Sequence, residues 1–249
     1  MDLPLFSEKG GTLIQHQGRA IYKMFDASTF CLRAQMRQQG AENSEFRHQL
    51  ERLATGKFDI NDWKNWSNRD ISKMSWETKS DFIENGTMLC ARKKDMTEFN
   101  AYHLRKTGHP IAKIKAVNSP GAYSFSTDSA QGLRNTIYLS KGAKIVLTSN
   151  LWSESKLVNG SHGIIRFIIY KGQKTPGKDL PDMVLVEFPS YIGPSFLQTH
   201  QKIVPIIPQT ATWYSKKEFS RTTYPLILSW SLTIHKAQGI FLSSKFNSI

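Results

Sequence analysis

The chain has 249 residues, 39% hydrophobic and 11% aromatic, enough for a substantial core and too apolar for a disordered segment. Lysine and arginine outnumber aspartate and glutamate 33 to 20, and the resulting +13 favours a polyanionic partner, nucleic acid first. Two cysteines, Cys31 and Cys90, exclude a disulfide framework and a zinc-finger pattern, and no apolar stretch reaches transmembrane length.

Residues 1–29 open with Asp2-Leu3-Pro4-Leu5-Phe6 and a loop, Glu8-Lys9-Gly10-Gly11, before an expected helix over 19–25. A single short amphipathic piece has nothing of its own to pack against, so this does not read as the beginning of a domain. The run Ser28-Thr29-Phe30-Cys31-Leu32 leans to β structure and continues into Met36-Arg37-Gln38-Gln39-Gly40. An arginine at the end of a strand sets a planar five-donor fork at a sheet edge, which suits a phosphate; a surface arginine of a basic protein reads the same way. Residues 43–56 read as a helix with Phe46, Leu50 and Leu53 at helical spacing and a stop at Gly56. Residues 59–66 repeat the pattern, with Ile60, Trp63 and Trp66 expected to pack on one face. A buried strand is expected over 87–91 and a helix over 93–106. This order of elements suits an α/β domain with a mostly parallel sheet.

After Pro110 the texture changes. Short β-rich runs at 111–117, 136–139, 144–148, 163–170, 183–188 and 202–207 are separated by Gly, Pro, Asn and Ser, and Val158-Asn159-Gly160-Ser161 is a strong hairpin signal. Residues 140–208 therefore read as a small antiparallel β-barrel inserted in the α/β domain. Both cysteines fall in apolar runs, as buried free thiols of a reducing, intracellular compartment. Near the end, Leu226-Ile227-Leu228 leads into Thr233-Ile234-His235-Lys236-Ala237-Gln238-Gly239. Donors beside a chain-reversing glycine suit phosphate or ribose oxygens; a helix closing on a glycine cap with His and Lys in its last turn has the same sequence.

Taken together these segments resemble the Pif/RecD-type superfamily-one ATP-dependent DNA helicases, Pif-like ones in particular. Asp2 to Phe6 is similar to the residues after the family's third motif, and Leu32 through Met36-Arg37-Gln38-Gln39 to the fourth. The stretch from Lys141 to Leu151, followed by Leu157 to Gly163, is similar to the family's inserted β-barrel, and Thr233 to Gly239 to the fifth motif. The resemblance implies a RecA-like second motor domain with a small barrel inserted. Residues 1–27 would be the tail of the first motor domain and 28–139 the first part of the second. Residues 140–208 would be the barrel and 209–249 the continuation of the second motor domain. Arg37 would be the catalytic arginine finger, with Arg37, Gln38 and Gly239 at the nucleotide, and Thr233, His235, Lys236 and Gln238 along single-stranded DNA.

ATP with Mg²⁺ belongs, on this resemblance, to the intact enzyme. No GxxxxGK[ST] loop occurs: Gly56-Lys57 is followed by Phe58, and Gly177-Lys178 by Asp179. No Asp-Glu pair occurs either. The sixth motif is not recognisable before Ile249, and Phe241 stands where the family has Thr, so the chain reads as a C-terminal, truncated portion that binds no nucleotide and hydrolyses none by itself. The implied function is 5′-to-3′ translocation on single-stranded DNA and unwinding at duplex junctions, in repair, recombination or telomere maintenance, in the nucleus or the mitochondrion and away from membranes. A non-enzymatic basic nucleic-acid-binding module and a degenerate transposon-derived product remain the alternatives.

Overall fold

The computed structural model describes residues 11–25, 28–30, 40–68, 70–198 and 200–237. They divide into two units, residues 1–74 and 75–249.

Local signals build the helices of the first unit. Helix α1 (Leu13–Lys23) starts where the Thr12 hydroxyl accepts from the Gln15 N–H and the Gln15 side chain accepts from the Thr12 N–H, well ahead of the expected 19–25. Helix α2 (Ser44–Ala54) stops before Gly56, whose φ of +70° is open to glycine. Helix α3 (Ile60–Ser67) is capped by Asp59. The packing between α2 and α3 centres on Trp66, whose ring lies 4.9 Å from Phe58 and 6.2 Å from Phe46, with Nε1 donating to Gln49 Oε1 at 2.7 Å. Arg52 grips the buried Asp62 with both arms of its fork and Glu45 with one. That hydrogen bonding holds the Asp62 carboxyl below the usual carboxylate range. The expected Ile60–Trp63–Trp66 face is corrected here: Ile60 and Trp63 are 62% and 60% exposed. The side of α3 that packs runs through Asp62 and Trp66, one turn apart, because the buried ion pair fixes the helix's rotation.

The second unit begins with α4 (Trp76–Asn85), β1 (Met88–Cys90) and α5 (Lys93–Lys106), the last with the bounds expected from sequence. There follow β2 (Ala112–Lys115), β3 (Val117–Asn118), β4 (Thr136–Leu139), β5 (Lys144–Leu147), β6 (His162–Ile169), β7 (Met183–Glu187) and β8 (Ile203–Ile206). The chain then forms β9 (Gln209–Ser215), β10 (Lys217–Thr223), β11 (Leu226–Leu228), β12 (Ser231–Thr233) and the one-turn α6 (Ile234–Ala237). Strand β1 pairs with β12 in parallel, and every other ladder among the described residues is antiparallel. The expectation of a mostly parallel sheet is thus corrected for these residues. Parallel neighbours need a long crossover, and one excursion, from β1 out to β12, encloses all the rest.

Strands β5 to β8 lie in the range read as a barrel, but their sheet is open, ordered β11-β5-β6-β7-β8, and no closed barrel forms among the described residues. Its first edge strand comes from beyond residue 208, and its last carries Pro205, a residue that suits an edge. The expected tight hairpin at Asn159-Gly160 is corrected: residues 148–161, with a short 3-10 turn at Ser153–Ser155, join β5 to β6, and the Asn159-Gly160 turn, with Gly160 at φ +95°, only closes that loop before β6. Leu139, Ile145, Leu147, Ile165, Val184, Val186, Phe188, Ile206 and Leu226 are fully buried and form one core.

A second sheet, β3-β10-β9, carries an unusual interior group. The Arg221 guanidinium is 0% exposed. It donates to Asn118 Oδ1 at 2.9 Å and to the carbonyls of Leu133 (3.0 Å), Ala122 (2.9 Å) and Phe125 (3.0 Å). Its flat face lies 5.7 Å from the Trp213 ring. Arg221 thereby ties residues 119–135 to the β9–β10 hairpin.

Candidate functional site

The end of β12 shows how an apolar strand presents a polar motif. Ser231, Leu232 and Thr233 are all buried, and exposure switches on at Ile234, which is 55% exposed. His235 and Lys236 follow on the exposed turn of α6. Thr233, expected beside them at DNA, is 8% exposed and pairs in register with Cys90, so it closes the strand from which the exposed pair projects. Arg37, Gln38, Gln238 and Gly239 lie outside the described residues, as does Cys31. Cys90 is a buried free thiol, as its sequence context indicates.

Strand β12 is fixed from both sides. On one side is the parallel β1. On the other, buried Asn100 of α5 donates from Nδ2 to the Ser231 carbonyl at 2.7 Å and accepts the Ser231 N–H at Oδ1, 3.0 Å away. A side-chain amide thus supplies the donor and acceptor that a further strand would supply. Cys90 Sγ lies 3.3 Å from Ser231 Oγ, Thr87 Oγ1 donates to the Ser229 carbonyl at 3.2 Å, and the Ser229 N–H donates to the Lys144 carbonyl. Sequence reading placed Asn100 in the helix without a role. The signal was its position one turn from Met96 and one from Leu104, a polar group on the buried stripe of α5.

Histidines and a lysine line the approach to β12. The His103 ring stacks on Trp230 at 5.8 Å and lies 4.5 Å from Phe99. Burial pushes its pKa down, and the charges of Lys106 and Lys144 push it further. His162 is half-buried with no partner for Nε2, and burial followed by Lys144 lowers it too. Lys144 donates to the Glu84 carbonyl.

Neither Gly-Lys pair fits the phosphate loop that would hold ATP with Mg²⁺. The Gly-Lys pairs lack the following Ser or Thr. Among the described residues no three His, Cys, Asp or Glu side chains are grouped to hold a metal ion, and no helix is long and apolar enough to cross a membrane.

No family model matches the chain. Over 156 residues it is 26% identical to the ATP-dependent DNA helicase PIF1 of Rattus norvegicus, covering 63% of this chain and 22% of that protein. Over 247 residues it is 24% identical to the ATP-dependent DNA helicase Pif1 of Campylobacter jejuni, covering 95% and 52%. The chain therefore spans between about a fifth and a half of the length of these curated relatives. The crystal structure of Bacteroides Pif1 in complex with ADP-AlF4 matches 82% of this chain and 42% of its own at 19% identity and a TM-score of 0.55. Bacteroides Pif1 bound to ssDNA matches 90% and 50% at 20% identity and 0.51. In sequence over most of its length, and in an α/β fold over more than four-fifths of it, this chain is similar to Pif-type ATP-dependent DNA helicases.

Proposed function

We propose that this chain is the C-terminal motor portion of a Pif-type helicase, the half that tracks DNA, with the nucleotide held by the half that precedes it in such enzymes. The observation that carries the reading is the pairing of His235 and Lys236, exposed at the end of a strand pinned from both sides, in a chain similar over 95% of its length to a Pif helicase. On this reading the β1–β12 pair belongs to a RecA-like second motor domain, and the β5–β8 strands to its inserted barrel. Thr233 sets the strand end, while His235, Lys236 and Gln238 lie along the DNA. Arg37, Gln38 and Gly239 are assigned to the nucleotide bound by the other half, and Mg²⁺ comes with that nucleotide. The intact enzyme would move 5′ to 3′ on single-stranded DNA and open duplex junctions, in repair, recombination or telomere maintenance, in the nucleus or the mitochondrion.

The net charge of +13 supports binding dominated by phosphate contacts. Titrating the full chain with oligothymidylate at several salt concentrations tests the reading. Affinity should fall steeply with salt, and Lys236→Ala should weaken binding and reduce the log–log salt slope by about 0.7, one phosphate contact on a single strand. Binding unaffected by salt, or an unchanged slope in the variant, would remove Lys236 from the DNA path.

A further inference from the structure

Helix α5 and strands β4 and β11 enclose a groove of about 390 Å³. Met96, Leu104, Ile111, Tyr138 and Leu228 give it apolar walls, and two guanidinium groups, those of Arg105 and Arg134, stand among them. Arg134 is half-buried, its pKa is pushed down by burial alone, and among the described residues it meets neither a carboxylate nor another acceptor. Arg221, which is fully buried, by contrast meets four acceptors at about 3 Å. A guanidinium that is partly buried beside apolar walls, with no carboxylate to pair with among the described residues and its nitrogens still open to solvent, is placed to take an anion that arrives from outside. The rim continues in the same character. Strand β2 sets Lys113 directly across from the half-exposed Tyr138, and Lys115 across from Thr136, with both lysines exposed. A row of separate cations beside an aromatic ring and an apolar slot matches a chain of phosphates bearing flat bases better than it matches a lone carboxylate.

We infer that this groove seats a nucleotide of the single strand, its base against Met96, Ile111 and Tyr138 and its phosphate on Arg134, with Arg105, Lys113 and Lys115 meeting the phosphates on either side. The inference rests on the DNA-tracking function proposed above and adds a contact remote in sequence from His235 and Lys236.

The test compares the full chain with two variants, using a labelled oligothymidylate and an abasic strand of the same length. Arg134→Met removes the cation, and Ala101→Trp fills the groove while leaving both arginines. Arg134→Met should weaken oligothymidylate binding about ten-fold by losing a charge-assisted contact, and Ala101→Trp about ten-fold by shutting the base out of the groove. The abasic strand should bind the wild type more weakly, with no further loss in the Trp variant. Thermal unfolding supplies the control: Arg134→Met should melt no lower than the wild type, since it has no partner to lose. Wild-type affinity in both variants, with Lys236→Ala still weakened, would overturn the groove and leave the DNA reading standing. A lowered melting temperature in Arg134→Met would make Arg134 structural and also overturn it. No binding by the wild type would overturn both.

Discussion

Asn100 stands in for a strand. The outward N–H and C=O of Ser231 have no β neighbour among the described residues, and one amide from α5 satisfies both. Asn100→Ala would leave a buried donor and a buried acceptor unpaired, at a cost on the order of 2–4 kcal/mol. Urea denaturation should show a loss of that size, and a change of less than about 0.5 kcal/mol, within the range of an ordinary surface substitution, would show that water replaces the amide. Asparagine is a poor residue for the middle of a helix, and its presence at 100 was legible as a polar interruption of an apolar stripe. What it bonded was not, because Ser231 lies 131 residues away. Thr233 teaches the converse. Its place in a motif was readable, but its burial depends on the register with Cys90, which only the folded sheet defines.

At the level of elements, β-rich runs bounded by Gly, Pro and Asn located β4 to β8 closely, since branched residues and turn formers act locally. The β9–β10 hairpin went unmarked because its tight turn lacks Asn-Gly: Lys216 itself takes a φ of +62°. Sheet order was also illegible, as β11 pairs with β5 from about 80 residues further along the chain. The packing of α5 and β6 near Lys144 has a consequence for acid stability. His103 and His162 both have folded-state pKa values below the ordinary histidine value. The unfolded chain therefore binds protons that the folded one refuses, and stability rises with pH across that window. The melting temperature should fall as pH drops through about 6.5, the ordinary histidine pKa, and continue to fall toward the depressed values. His103→Gln and His162→Gln should each flatten that slope; an equal slope in both variants would place the titration elsewhere.

For the whole molecule, composition pointed to a polyanionic partner and motif order to the similarity with Pif-type helicases, while neither pointed to the division at residue 74. The mostly parallel sheet was expected from the order of strands and helices before Pro110, and the barrel from the spacing of short β-rich runs after it. Spacing does not distinguish an open antiparallel sheet from a closed one, because closure depends on which edges meet. One further outcome belongs at this scale. With no GxxxxGK[ST] loop and no Asp-Glu pair, the chain by itself should release no phosphate from ATP, with or without oligothymidylate. Turnover above a buffer blank in a phosphate-release assay would contradict the division of labour between two motor halves.

The fastening of residues 119–135 by Arg221 also bears on how the polypeptide matures. The carbonyls of Ala122, Phe125 and Leu133 wait for a partner 88 to 99 positions further along. During synthesis those carbonyls lack this partner until residue 221 has emerged. A splice or frameshift falling between residues 135 and 221 would therefore remove the fastening of a stretch that had already been translated correctly.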